Sequence, residues 1–142
     1  MIENPNERIP CRVFTRASDA SVAAANEIAE LIREKADQGK MCVLGLVAGS
    51  SPVNVYNELV RMHQKGEVSF ANVITFNLDE YFPMQPFELQ SVSRFMHEHL
   101  FDMVDIQPSN VHIPDGAVPK AEVAEYCHQY EQQICDCGGI DI

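Results

Sequence analysis

The sequence predicts an α/β fold with a mainly parallel sheet and helices on both of its faces. Two observations predict it. Short, almost continuously apolar segments alternate with amphipathic helical patterns, and the junctions between them carry small residues, serine and proline. Strands separated by a helix pair in parallel through a right-handed crossover, which puts helices on both sides of the sheet.

Element by element, Val13 and Phe14 are expected to form a short strand, and Ser18 is expected to cap a first helix. Val22, Ala25, Ile28, Ala29 and Ile32 recur at helical spacing, with Asn26, Glu27, Glu30 and Arg33 on the opposite face. Met41 to Val47 (MCVLGLV) is apolar without alternation, as in a strand covered on both faces. After the small residues Ala48 to Ser51, Pro52 suits the first helical position. That spacing predicts a helix capped by Ser51 and running to about Lys65.

Asn72 to Leu78 (NVITFNL) reads as a second strand from its β-branched and aromatic content. A proline-containing loop, Glu80 to Gln90, leads into a helix capped by Ser91, with Phe95, Leu100 and Phe101 inward. Val111 to Ile113 reads as an edge strand and Pro114 to Gly116 as a turn. A polar helix follows from Lys120 to about Cys135, and Ile140 to Ile142 looks like the opening of a further strand. No internal repeat or linker divides the 142 residues, so a single domain is expected.

Bulk properties narrow the function. Ten Lys and Arg against 21 Asp and Glu give a net charge of −11, which disfavours nucleic acid and anionic membrane surfaces as partners. The opening residues, Met1 to Pro10, lack the apolar core of a signal peptide, and no run reaches the ~20 apolar residues of a membrane span. A cytoplasmic location is therefore expected. The odd set Cys11, Cys42, Cys127, Cys135 and Cys137 suits reduced thiols rather than disulfides. No metal is expected. His97 and His99 point about 200° apart on a helix, and Cys135-Asp136-Cys137 is not a zinc spacing.

Ligands of parallel α/β sheets bind beyond the carboxyl ends of the strands. Two segments lie there. In Val47 to Pro52, a small-residue turn lets backbone approach an anion at a helix N-terminus, with Gly49, Ser50 and Ser51 as the candidate phosphate cradle. The same residues are compatible with a plain strand-to-helix turn. The segment is neither a GxGxxG nor a P-loop. In Phe76 to Tyr81, the acids Asp79 and Glu80 arrive as a strand ends, where partial desolvation can raise a carboxylate's pKa and suit it as a general base. Solvated loop acids give the same pattern. Asp79 is the first candidate and Glu80 the second.

From Val43 to about Gly116 the chain resembles the glucosamine-6-phosphate deaminase family. The succession GLVAGSSPVNVYNELVRMHQKGEVSF, VITFNLDEYFPM, LQSVSRFMHEHLFDMVDI and NVHIPDG carries the likeness, and FNLDEY is its most diagnostic element. The resemblance implies a Rossmann-like three-layer α/β/α fold whose sheet is cut short here, residues 1–142 forming the N-terminal portion of a single sugar-phosphate domain. It implies conversion of glucosamine 6-phosphate and water to fructose 6-phosphate and ammonia, with no metal or organic cofactor. It also implies a homo-oligomer. By the same resemblance Gly49, Ser50 and Ser51 hold the phosphate and Asp79 moves the proton.

Ala48 replaces the family's usual Thr and Val92 its usual Tyr, which bears on ligand contacts and not on Asp79. The family's ring-opening histidine and later cationic phosphate ligands have no counterpart in these residues, so this chain alone is expected to be inactive. Asp141 is expected to lie within a strand rather than to act as one of the family's catalytic acids. Two other readings stand beside this one: a non-catalytic sugar-phosphate sensor, and a 6-phosphogluconolactonase-like hydrolase, against which FNLDEY argues.

Overall fold

The computed structural model describes residues 11–142; the opening stretch, Met1 to Pro10, lies outside them. Helix α1 (Ala17–Asp37), strand β1 (Cys42–Leu46), helix α2 (Val53–Gln64) and strand β2 (Val73–Asn77) follow one another. Helix α3 (Val92–His99), strand β3 (Val111–His112) and helix α4 (Val123–Asp136) complete the order. The strands form one parallel sheet, β1-β2-β3.

The alternation of each strand sorts the layers. Cys42, Leu44 and Leu46 of β1 share a core with Ala25, Ala29 and Ile32 of α1, Tyr56, Leu59, Val60 and Met62 of α2, and Val92 and Met96 of α3. On the opposite face, Phe76 stacks on His112 at 4.5 Å between ring centroids and meets Tyr130 of α4 edge-on at 5.7 Å. The result is helix, sheet, helix, the three-layer α/β/α arrangement that the pattern predicts. Among the described residues no helix is long and apolar enough to cross a membrane.

Several local expectations give way. Val13 and Phe14 form no strand, and Val13 is 92% exposed, because no sheet edge reaches them. Ser18 lies inside α1, which starts behind Arg16 without a side-chain cap. Ser51 likewise does not cap α2. Pro52 itself takes the cap position, with Val55 and Tyr56 N–H donating to its carbonyl. Ser91 caps α3 as expected, accepting from Arg94 N–H at 3.4 Å. α4 buries none of its residues fully and docks through the half-buried Tyr126 and Tyr130.

Ile140 to Ile142 run beside the outer edge of β1. Asp141 N–H donates to the Val43 carbonyl and Gly45 N–H to that of Ile142, both at 2.8 Å. A side chain at Gly45 would come within 3.3 Å of Ile140, so the glycine makes room for this segment. The Asp141 carboxylate accepts from Lys35 Nζ at 2.6 Å and Val43 N–H at 3.0 Å, which is a strand anchor. Asp105 plays a similar part lower in the fold, accepting from the Ser69 hydroxyl and Phe70 N–H, both at 2.6 Å.

Two predictions follow from this packing. Leu59 is fully buried between α1 and the sheet, so Leu59→Ala is expected to cost about 2–5 kcal/mol in urea unfolding; a loss below about 1 kcal/mol would contradict its place in the core. The second concerns acid. The bonds from Lys35 and Val43 hold the Asp141 carboxyl below its ordinary pKa. Burial pushes Asp105 up, but donors from Ser69 and Phe70 outweigh it and leave it lowered. Both groups therefore stabilise the fold above the ordinary carboxylate pKa of about 4, and that stability is lost as pH falls through their folded values. Asp141→Asn should flatten the acid limb of stability between about pH 5 and pH 2; an unchanged limb contradicts the assignment.

Candidate active site

β1 and β2 end side by side. Leu46 stands opposite Asn77 in the ladder, and Leu78 N–H donates to the Leu46 carbonyl at 3.0 Å, so both strands release their loops at one level. With parallel strands about 4.8 Å apart, the loop holding Gly49, Ser50 and Ser51 and the loop holding Asp79 and Glu80 leave the sheet as neighbours. This is the juxtaposition the sequence could state only as two separate segments.

In the first loop, Gly49 has φ +123°, a conformation that L side chains rarely adopt. A Cβ there would meet nothing within 4 Å, so the backbone and not packing selects glycine. Ser50 and Ser51 are exposed. α2 carries no side-chain cap and no acid in its first turn, which leaves its positive end open to solvent. Neither loop contains Lys or Arg. Attraction for an anion at this spot comes from backbone N–H groups and the helix dipole, within a chain whose net charge of −11 repels it at long range.

The two acids of the second loop are treated differently. Glu80 is bound on all sides. One carboxylate oxygen accepts from Tyr81 N–H at 2.8 Å and Val92 N–H at 3.0 Å, and the other from the Ser91 hydroxyl at 2.8 Å and Ser93 N–H at 3.1 Å. Burial raises its pKa, but these four donors more than offset that and hold it below the ordinary glutamate range. Glu80 thus stays ionised at the N-terminus of α3, where a negative charge is favoured. Its geometry is that of an anchor, with four donors on the carboxylate that the sequence offers as the second candidate base.

Asp79 is exposed, two residues beyond β2. Among the described residues nothing buries its side chain. Anchored on one side by β2 and on the other by Glu80, Asp79 is nonetheless held on a short tether.

Three supporting residues escaped the sequence reading. Tyr130 of α4 donates its hydroxyl toward the carbonyls of Asn77, at 2.8 Å, and His112, at 3.0 Å, binding the ends of β2 and β3 together below Asp79. Burial raises its pKa, so it stays protonated. Tyr56 of α2 holds Val47, just past β1, by donating its hydroxyl to the Val47 carbonyl and accepting from the Val47 N–H. Gly116 fits beneath the second loop. A Cβ there would lie 2.5 Å from the Tyr81 carbonyl, and Met84 N–H donates to the Gly116 carbonyl at 2.9 Å. A buried tyrosine hydroxyl needs a partner, and that is the one signal the helical tyrosines offered in advance.

Other candidates stay apart. His97 bonds Asp102 at 2.7 Å while His99 packs on Phe95 at 4.3 Å, so the two rings serve different neighbours. Cys127, Cys135 and Cys137 are exposed on or just after α4, and Cys42 is buried in the sheet, its thiol pushed up to about 11 by burial. A groove of about 510 Å³ lies between Arg33, Glu67 and Asn72, and another of about 340 Å³ between His97, Phe101 and Val111. Neither is lined by the two loops.

Comparison with known proteins meets this geometry. A family profile described as glucosamine-6-phosphate isomerases/6-phosphogluconolactonase matches residues 15–142. Glucosamine-6-phosphate deaminase 2 of Bacillus subtilis is 46% identical over 114 residues, covering 80% of this chain and 45% of that protein. Glucosamine-6-phosphate deaminase 2 of Giardia intestinalis is 42% identical over 127 residues, covering 89% and 46%. A solved monomeric glucosamine-6-phosphate deaminase superposes with a TM-score of 0.81 at 34% identity, covering 89% of this chain and 50% of that one. The chain spans about half the length of these relatives. A match over nearly all the described residues, together with a common fold, shows that the chain belongs to the glucosamine-6-phosphate isomerase/6-phosphogluconolactonase family.

Proposed function

We propose that the protein carrying this chain is a glucosamine-6-phosphate deaminase, converting glucosamine 6-phosphate and water to fructose 6-phosphate and ammonia. The observation that carries the reading is the pairing of an open helix N-terminus with a free carboxylate on adjacent strand ends. Gly49, Ser50 and Ser51 hold the sugar's phosphate. That fixes the distal end of an open-chain sugar and brings C1 and C2 to Asp79.

Asp79 then takes the C2 proton and delivers it to C1 through an enolamine, one carboxylate serving both transfers because both carbons lie within its reach. Water adds to the resulting C2 imine and the C–N bond breaks, leaving the ketone and ammonia. Glu80 and Tyr130 act through position, fixing the loop from which Asp79 projects. Residues 1–142 supply the N-terminal portion of one sugar-phosphate domain, and the partner is a small sugar phosphate. The protein works in the cytoplasm as a homo-oligomer, without metal or organic cofactor.

Hydrolysis of 6-phosphogluconolactone is the second reading, because the family profile spans both activities. FNLDEY, with Asp79 at its centre, favours the deaminase. Sugar-phosphate sensing without turnover is the third, and the same assay separates it.

The test is ammonia release from glucosamine 6-phosphate by this chain and by a version extended to the length of its Bacillus subtilis relative. Turnover in the extended protein alone is expected. A folded extended protein that binds the sugar without turnover, or that opens the lactone instead, contradicts the proposal. Within that protein, Asp79→Asn is expected to lower kcat about 10²–10⁴-fold with little change in melting temperature. Glu80→Gln is expected to lower the melting temperature and to reduce kcat by a smaller factor; the reverse order would exchange the roles given to the two acids.

A further inference from the structure

We infer that Tyr56 is a positioning residue for the anion cradle, closing the Ala48–Ser51 loop into a fixed ring from inside the core. The inference rests on the reading that a phosphate binds at the N-terminus of α2.

The β1–β2 ladder ends at Leu46 and Asn77, and Val47 lies one residue beyond it. A single phenol takes over both of Val47's backbone groups. The Tyr56 hydroxyl donates to the Val47 carbonyl at 2.6 Å and accepts from Val47 N–H at 3.3 Å. Meanwhile Tyr56's own N–H donates to the Pro52 carbonyl at 3.0 Å. One residue thus grips both ends of the loop, and Ala48, Gly49, Ser50 and Ser51 are strung between the two grips.

The ring that supplies the grip is itself immobile. Tyr56 is 3% exposed and packs in the same cluster as Leu46, Leu59 and Ala48. Burial raises the phenol's pKa, so the proton it donates to Val47 is retained throughout the neutral range. An anion site made only of backbone N–H groups depends on their directions, because it has no mobile side-chain cation to follow the ligand. Holding those directions is the service Tyr56 provides.

Tyr56→Phe keeps the ring and removes only the hydroxyl, so the test is binding of inorganic phosphate and of glucosamine 6-phosphate to the extended protein, followed by amide NMR. Tyr126→Phe is the control, since it deletes a comparable hydroxyl bond, to Asp115 N–H, on the other face of the sheet. Tyr56→Phe is expected to weaken both ligands at least about tenfold, the step worth about 1.4 kcal/mol. It should also speed amide exchange at Ala48 to Ser51 while Val43 and Leu44 stay protected. Tyr126→Phe should leave affinity unchanged.

Equal binding by wild type and Tyr56→Phe overturns the inference alone. Equal losses in both variants also overturn it, since they mark general destabilisation. Absence of binding by the wild type overturns the cradle reading and the inference with it.

Discussion

The parallel ladder between β1 and β2, with Leu46 opposite Asn77, is the constraint on which the chemistry depends. A slip of one residue would turn Cys42, Leu44 and Leu46 away from α1 and α2, and the core would not close. The same register decides that both loops depart at one level. Packing and site geometry are thus a single constraint: the burial that stabilises the sheet also sets Gly49 beside Asp79.

What the ladder starts, a few polar contacts finish. Each strand end is held by a tyrosine hydroxyl from a different layer, Tyr56 from α2 and Tyr130 from α4, so the sheet's rim is gripped from both faces. Glu80 fills the α3 N-terminus with charge, while the α2 N-terminus has no such occupant. Two similar helix ends on one rim therefore differ in electrostatics, one filled by a carboxylate and the other not.

Much of this was legible in the sequence. Met41 to Val47 and Asn72 to Leu78 are apolar without helical period, and both became strands of the sheet with only their end residues trimmed. Gly49 and Asp79 could be placed at strand ends for the same reason. The caps were not legible, because Ser18 and Ser51 offer a suitable hydroxyl while the backbone path decides where a helix begins. The role of Glu80 was hidden by distance. Its main partners lie 11 to 13 residues onward, and nothing local separates an anchoring acid from a free one. Tyr130 meets Asn77 across 53 residues, a contact only the folded layers create.

The proposed division of labour between Asp79 and Glu80 is open to direct test in a crystal structure of the extended protein with a bound open-chain 6-phosphate sugar. The phosphate is expected on the N–H groups of Gly49 to Ser51, with C1 and C2 within about 3 Å of the Asp79 carboxylate. Glu80 should remain bonded to Ser91, Val92 and Ser93. A sugar whose reacting carbons meet Glu80, or whose phosphate lies away from the α2 N-terminus, would contradict it.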